Sequence, residues 1–145
     1  MTGNSTFTII KPCAVKAGYT GKILADIIGA GYELVAMKFV LMTVSEAETF
    51  YAVHKDRSFY RNLIDFMTSG PIVVAIVGKE NAVDDFRELI GSTNPAEAAE
   101  GSIRRKYGQS LNRNAVHGSD SDENASLESS YFFSIFEKQM HYKDY

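Results

Sequence analysis

Two hydrophobic periods alternate along the chain. "STFTIIK" (5–11) is rich in β-branched residues and stops at Pro12, which predicts a strand. "TGKILADIIGAG" (20–31) repeats Ile23, Leu24, Ile27 and Ile28 at helical spacing and ends in glycines. "ELVAMKFVLM" (33–42) reads as a long strand. "SEAETFYAV" (45–53) opens with Ser45 and Glu48, the spacing of a capping box, in which hydroxyl and carboxylate each satisfy a free amide. "SFYRNLIDFMTSG" (58–70) is a second short helix, with Leu63, Ile64, Phe66 and Met67 for packing. "PIVVAIVG" (71–78) is apolar at successive positions, as in a central strand covered on both faces. "NAVDDFRELIG" (81–91) starts at a capping Asn81 and places Val83, Phe86, Leu89 and Ile90 on one face, with Arg87 off it. Residues 92–112 have no period and hold Pro95, Gly101 and Gly108, which predicts a long ordered loop with a short helical turn. "NAVHG" (114–118) is a short strand, and "SDENASLESSYFFSIF" (121–136) a last helix capped by Ser121 with acids in its first turn. Residues 137–145 read as a surface tail.

Reduced to essentials, the order is βαββαβ, the ferredoxin-like split unit. The expected fold class is α+β: a four-stranded antiparallel sheet, helices on one face, and a long functional loop. The bare face would then need cover, which a partner subunit could help supply. At 145 residues the chain is expected to be a single domain, 1–145.

Composition narrows the function. Hydrophobic residues are 45% and charged residues 23%, an ordinary globular balance. A net charge of -3 argues against a chain built to seek nucleic acid. The lone Cys13 cannot form an internal disulfide, which fits a reducing compartment. No apolar run approaches the ~20 residues of a membrane span, and the N-terminal run is too short for a signal peptide. A cytoplasmic protein without membrane contact is the expectation.

One local charge pattern stands out. "GSIRRKYGQSLNRNAVHGS" (101–119) has no acid and carries Arg104, Arg105, Lys106 and Arg113; Asp120, Asp122 and Glu123 follow at once. Read as chemistry, this is an anion site beside His117, flanked by carboxylates able to hold a metal through water. Arginine suits it because its fork matches phosphate oxygens. Read as structure, it is a solvated loop. No P-loop, GxGxxG, CxxC or HExxH occurs, so side chains rather than a glycine cradle would have to hold phosphate.

The motif "NAVHGSDS" resembles the active-site signature of nucleoside diphosphate kinases. "IIKP", "FYAVHKDRSFY", "FMTSGPIVVAIV", "ELIGSTNPAEAAEGSIR" and "ENASLES" follow that family's order and spacing, over about residues 5–133. The resemblance implies a ferredoxin-like fold and a ping-pong reaction: a nucleoside triphosphate gives its terminal phosphate to His117, and a nucleoside diphosphate takes it up. It implies that Glu128 holds the rear of the ring, with Ser119 bonded to that glutamate and assisting the leaving oxygen. Lys11 and Tyr51 lie near the reacting centre. Lys11 and Asn114 reach the ribose hydroxyls, and Arg87, Thr93 and Arg104 hold the other phosphates. Phe59 stacks on the base opposite Leu111, which tolerates any base. Mg²⁺ bridges the phosphates, with Asp120 touching its shell through water. A homo-oligomer is implied, a hexamer favoured over a tetramer, and no specific nucleic acid partner is expected. Gly118 is read as clearing bulk beside the ring.

The chain departs from the family pattern at three places: Cys13 where aspartate is usual, Ser58 where proline precedes the stacking phenylalanine, and Ser102 where threonine is common. None removes a reacting group. The competing expectation is a nucleotide- or nucleic-acid-binding regulator of the same fold with little turnover. Such a protein would be free to lose His117 or Glu128, and both are present. An interaction module working through its oligomer surfaces is a third expectation, one that no residue demands.

Overall fold

The structure is a computed structural model that describes residues 3–139. The strands are β1 (Ser5–Ile10), β2 (Glu33–Val40), β3 (Ile72–Gly78) and β4 (Val116–Gly118). They form one sheet in the order β2-β3-β1-β4, and every neighbouring pair is antiparallel. The helices are α1 (Pro12–Lys16), α2 (Thr20–Gly29), α3 (Val44–Phe50), α4 (Tyr60–Met67), α5 (Ala82–Ile90), α6 (Ile103–Tyr107), α7 (Asp122–Phe132) and α8 (Ile135–Lys138). A single 3₁₀ turn, Ala52–His54, follows α3. This is the expected split βαββαβ topology in an α+β fold.

The helices lie on both faces of the sheet, not on one. The alternation in β3 shows why. Val73, Ala75 and Val77 join a core with Ile10, Ala14, Ile23, Ile27, Phe86, Ile90 and Ile103. Ile72, Val74 and Ile76 join a second core with Phe7, Ile9, Phe50, Ile64, Met67 and Phe133. Each of the valine, isoleucine, phenylalanine and methionine side chains stabilises the fold by roughly 1.5–3 kcal/mol when fully buried. Both faces are therefore covered from within the chain, and the partner expected to cover a bare face is not needed for that purpose. What remains open is the β2 edge, where Met37, Phe39 and Leu41 stay 47%, 66% and 62% exposed.

Local signals shifted in three places. The capping box of α3 is Thr43 with Glu46, not Ser45 with Glu48: Thr43 Oγ1 accepts from the Glu46 N–H at 3.1 Å, and Glu46 accepts from the Thr43 N–H at 2.9 Å. Asn81 precedes α5 with φ 56 and does not cap it; its side chain donates instead to Asp85 at 3.0 Å. The last helix breaks after Phe132, where buried Phe133 turns inward and Ser134 caps α8 with its own box. Of the expected surface tail, Glu137 and Lys138 are helical and Glu137 pairs with Lys38; residues 140–145 lie outside the described residues.

Candidate active site

The strand that carries His117 has only three residues, and a strained turn delivers it. Ala115 has φ 76, rare for a residue with a Cβ, and the Val116 N–H reaches back to the Asn114 carbonyl at 3.0 Å. That is a γ-turn of the uncommon hand. The register pairs His117 with Ile9 of β1, and the ring enters the second core beside Phe7 and Phe50, each with its centroid 6.1 Å away. Both rings meet it edge-on, so the imidazole has apolar walls on two sides.

A third side is polar. His117 Nε2 lies 2.7 Å from Glu128 Oε1, and the Ser119 hydroxyl donates to the same oxygen at 2.7 Å. The side chains of His117 and Glu128 are 23% and 18% exposed, and Ser119 is fully buried. Ser121 caps α7 by accepting the Asn124 N–H at 3.1 Å, so the helix runs back beside β1 and brings Glu128 to the ring. With Nε2–H donating to the carboxylate, Nδ1 keeps its lone pair. Tyr51, at the end of α3, is buried edge-on against Phe50. Burial, and then the Glu128 charge, hold its phenol well above the ordinary range, so it stays a neutral donor.

Cations gather on the loop side of the histidine. Lys11, at the end of β1, donates to Asn114 Oδ1 at 2.8 Å, and Asn114 donates to the Thr93 carbonyl at 3.1 Å. Burial, then the neighbouring Arg104, bring the Lys11 pKa down to about 8. Arg104 holds the Gly91 and Val116 carbonyls, each at 3.0 Å, while its Nε is buried without a partner. Burial and then Arg87 lower its pKa to about 10. Arg87 is exposed on α5, and its charge acts on both Arg104 and Asp120. These mutual repulsions among Lys11, Arg104 and Arg87 mark a place suited to an anion.

Asp120 is exposed, and the hydrogen bond from the Asn124 side chain holds its carboxyl below the usual range, so it is ionised at neutral pH. Among the described residues no cluster of three or more His, Cys, Asp or Glu could hold a metal ion. Asp120 stands on the same side as Arg87, whose charge acts on it. Phe59 on the hairpin before α4 and Leu111 on the loop after α6 are 46% and 54% exposed. The Phe59 ring has His54 beside it at 5.5 Å.

Gly118 has a different reason from the one expected. A Cβ there would come within 3.0 Å of both Phe86 and Ile90, on the sheet face opposite the imidazole. The glycine lets β4 lie close on α5; it does not clear a path to the ring. Of the departures, Cys13 is buried at the start of α1, Ser102 caps α6 from a buried position, and Ser58 precedes a helix start with no side-chain cap. Two contributors were missed from sequence. Thr8 donates its hydroxyl to the His117 carbonyl at 2.7 Å, and Phe50 walls the ring. Thr8 carried little signal, since Thr6 in the same strand is equally buried.

Comparison with known proteins agrees with this geometry. Residues 4–138 match the family model described as nucleoside diphosphate kinase. A relative of that name from Flavobacterium psychrophilum is 56% identical over 133 residues, 92% of this chain and 96% of the relative. The solved nucleoside diphosphate kinase of Aquifex aeolicus superposes with a TM-score of 0.90 at 41% identity, covering 92% of this chain and 96% of that one. That of Encephalitozoon cuniculi gives 0.85 at 35% identity, covering 89% and 88%. On these matches, over most of its length and in its fold, the chain belongs to the nucleoside diphosphate kinase family.

Proposed function

We propose that this chain transfers the terminal phosphate of a nucleoside triphosphate to a nucleoside diphosphate through a phosphohistidine on His117. The observation that carries the residue assignment is the 2.7 Å contact of Nε2 with Glu128, which leaves Nδ1 as the nucleophile. In the first half-reaction Nδ1 attacks the terminal phosphorus, the N–P bond forms, the bridging P–O bond breaks, and the diphosphate leaves. The second half-reaction is the reverse with a different diphosphate. Glu128 stabilises the positive charge that grows on the ring, and Ser119 fixes the carboxylate. Tyr51 and Lys11 donate toward the transferring group; Lys11 and Asn114 take the ribose hydroxyls, and Arg87, Thr93 and Arg104 the remaining phosphates. Little covalent chemistry is asked of the protein beyond His117, so placed charge carries most of the rate. Phe59 and Leu111 present apolar surface to either side of a base, and stacking accepts every base.

The divalent cation that family membership implies is Mg²⁺ in this reading; when bound it would offset phosphate charge, and Asp120 would hold it through water. Assembly into a homo-oligomer is supported by the apolar exposed edge of β2; a hexamer rather than a tetramer is what family resemblance implies. No helix among the described residues is long and apolar enough to cross a membrane; a cytoplasmic location is the reading that fits the lone buried thiol. The regulator without turnover is not favoured, because it would have no use for a carboxylate aimed at the rear of the histidine. Incubation with γ-labelled ATP tests the proposal. An acid-labile, alkali-stable label is expected on the chain and absent from His117→Ala; a label that survives that substitution would refute it.

A further inference from the structure

One lysine ties the catalytic helix to the far edge of the sheet. Lys38 lies in β2, between Met37 and Phe39, which are both well exposed. Its own side chain points to the other face. There Nζ donates to the Phe132 carbonyl at 2.7 Å and pairs with Glu137 at 3.1 Å, passing 5.2 Å from the Phe133 ring centroid. Phe132 is the last residue of α7. Its free carbonyl is one that a helix end leaves unsatisfied, and it sits at the negative end of the helix dipole. A cation here both fills the bond and matches the charge.

The same residue leads back to the histidine by two routes. Glu128 is one turn earlier on α7, so sliding or fraying the last turn moves its carboxylate. The Phe132 ring stacks on Phe7 at 5.6 Å with 10° between planes, and lies 5.6 Å from Phe50. Phe7 and Phe50 are the two rings that wall His117. Side chain and backbone of Phe132 are thus held by separate elements, and Lys38 supplies the backbone hold.

We propose that Lys38 is a positioning residue for phosphoryl transfer: by capping the C-terminal end of α7 from the edge strand, it fixes where Glu128 meets the imidazole. It touches neither nucleotide nor phosphate. The inference rests on the phosphohistidine reading above. Its expected signature is a slower chemical step with nucleotide binding unchanged, because Lys11, Arg87, Arg104 and Phe59 are all elsewhere. Glu137 contributes less: its bond to Lys38 is about two-fifths exposed on both sides, and α8 keeps its own cap without it.

Rapid-quench labelling of His117 by γ-labelled ATP, together with steady-state kcat and KM, tests this on the wild type, Lys38→Met, Lys38→Arg and Glu137→Gln. Melting temperature and size-exclusion elution are followed in parallel, so that loss of fold or assembly is seen separately. Lys38→Met should slow labelling on the order of 10-fold, with KM within about two-fold of wild type. Lys38→Arg, which keeps the charge and reach, should recover most of the rate, and Glu137→Gln should match wild type. Labelling of Lys38→Met at the wild-type rate would overturn the inference. So would a slowing that merely tracks the fraction unfolded or dissociated, or equal slowing in Lys38→Arg. If the wild type itself takes no label on His117, the functional reading fails; if it labels and Lys38→Met keeps pace, only the role of Lys38 fails.

Discussion

Replacing Glu128 tests the acid behind the histidine, and the structure separates its charge from its hydrogen bonds. Oε1 accepts from both His117 Nε2 and the Ser119 hydroxyl, each at 2.7 Å. Glu128→Gln keeps an amide oxygen able to accept both, but removes the negative charge. Hydrogen bonds to charged groups are worth about 1.5–3 kcal/mol against about 0.5–1.5 for neutral pairs, so the charge adds about 1–1.5 kcal/mol. That difference acts where the ring becomes cationic, in the transition state, and a loss of about 1.4 kcal/mol is ten-fold in rate. Glu128→Ala removes the acceptor altogether. It leaves a ring N–H unpaired, the fully buried Ser119 hydroxyl with only its long 3.4 Å bond to the Phe7 carbonyl, and the ring free to turn. Removing one preorganised electrostatic partner of this kind costs ~10²–10³ in kcat. The expected series is therefore kcat down about 10-fold for glutamine and about 100-fold or more for alanine. KM should barely move in either, because Glu128 faces the ring and not the phosphates. A coupled assay of diphosphate conversion gives kcat and KM, and single-turnover labelling isolates the histidine step. Glu128→Ala within about three-fold of wild-type kcat would refute the argument, as would a rise in KM that accounts for the whole loss.

Lys11 should set an alkaline limb. Its pKa is about 8 in the folded chain, so above that it loses its proton and the site loses one positive charge. kcat/KM should fall above about pH 8, and Lys11→Arg, which stays charged, should carry the limb upward even if it lowers the plateau. The same group bears on stability. In the unfolded chain it holds its proton up to the ordinary lysine value of 10.5. Its burial cost is therefore fully present below pH 8 and is relieved between about 8 and 10.5. Gly118→Ala would press a Cβ to 3.0 Å from Phe86 and Ile90, both buried. Overpacking of this kind costs ~1–3 kcal/mol, which calorimetry should register as a fall of about 2–4 °C per kcal/mol. An unchanged melting temperature would show that β4 yields freely. Phe59→Ala removes the exposed stacking face and should raise KM for all bases alike, by ~1–3 kcal/mol of lost stacking. A base-selective change would point to edge recognition instead.

The parts of the fold legible from sequence were those with a long unbroken period. β3 alternates Ile72, Val74 and Ile76 against Val73, Ala75 and Val77, and two cores follow from it. A doubly covered strand does not by its period say whether helices of the same chain or a partner subunit supply the second cover; here the same chain supplies both. Caps were harder because the signals overlap. "TVSEAE" contains both Thr43-x-x-Glu46 and Ser45-x-x-Glu48. Only the extended backbone of Thr43, φ -72 and ψ 161, decides between them. Asn81 is a good cap by type, but the turn out of β3 puts it at φ 56, where its side chain finds Asp85 instead. α1 escaped notice because five residues are too few to show a period. In the site, a motif pointed to His117 and Glu128, and the helix cap at Ser121 made the reach between them geometrically reasonable. Nothing in the residue types announced Ala115, since alanine ordinarily avoids positive φ.

That alanine explains how a three-residue strand can hold a nucleophile still. A γ-turn of this hand stores strain of order 1–3 kcal/mol and persists only where its surroundings over-determine it. Here three successive carbonyls are each held by a different residue, two from β1 and its end and one from α6. Ala115 accepts the Lys11 N–H at 2.8 Å, Val116 accepts Arg104 at 3.0 Å, and His117 accepts Thr8 at 2.7 Å. At a net ~0.5–1.5 kcal/mol per hydrogen bond, and more for the charged arginine, the three together are of the size needed to offset the strain. The same bonds connect the histidine to the groups that would meet the nucleotide. Lys11 contributes its backbone to the turn and its ammonium to the cleft, and Arg104 holds the turn while its Nε stays without a protein partner. A ligand that draws either cation forward pulls on the backbone of the residues just before His117. In the proposed reaction, binding and the position of His117 would be linked through the covalent chain and these two hydrogen bonds.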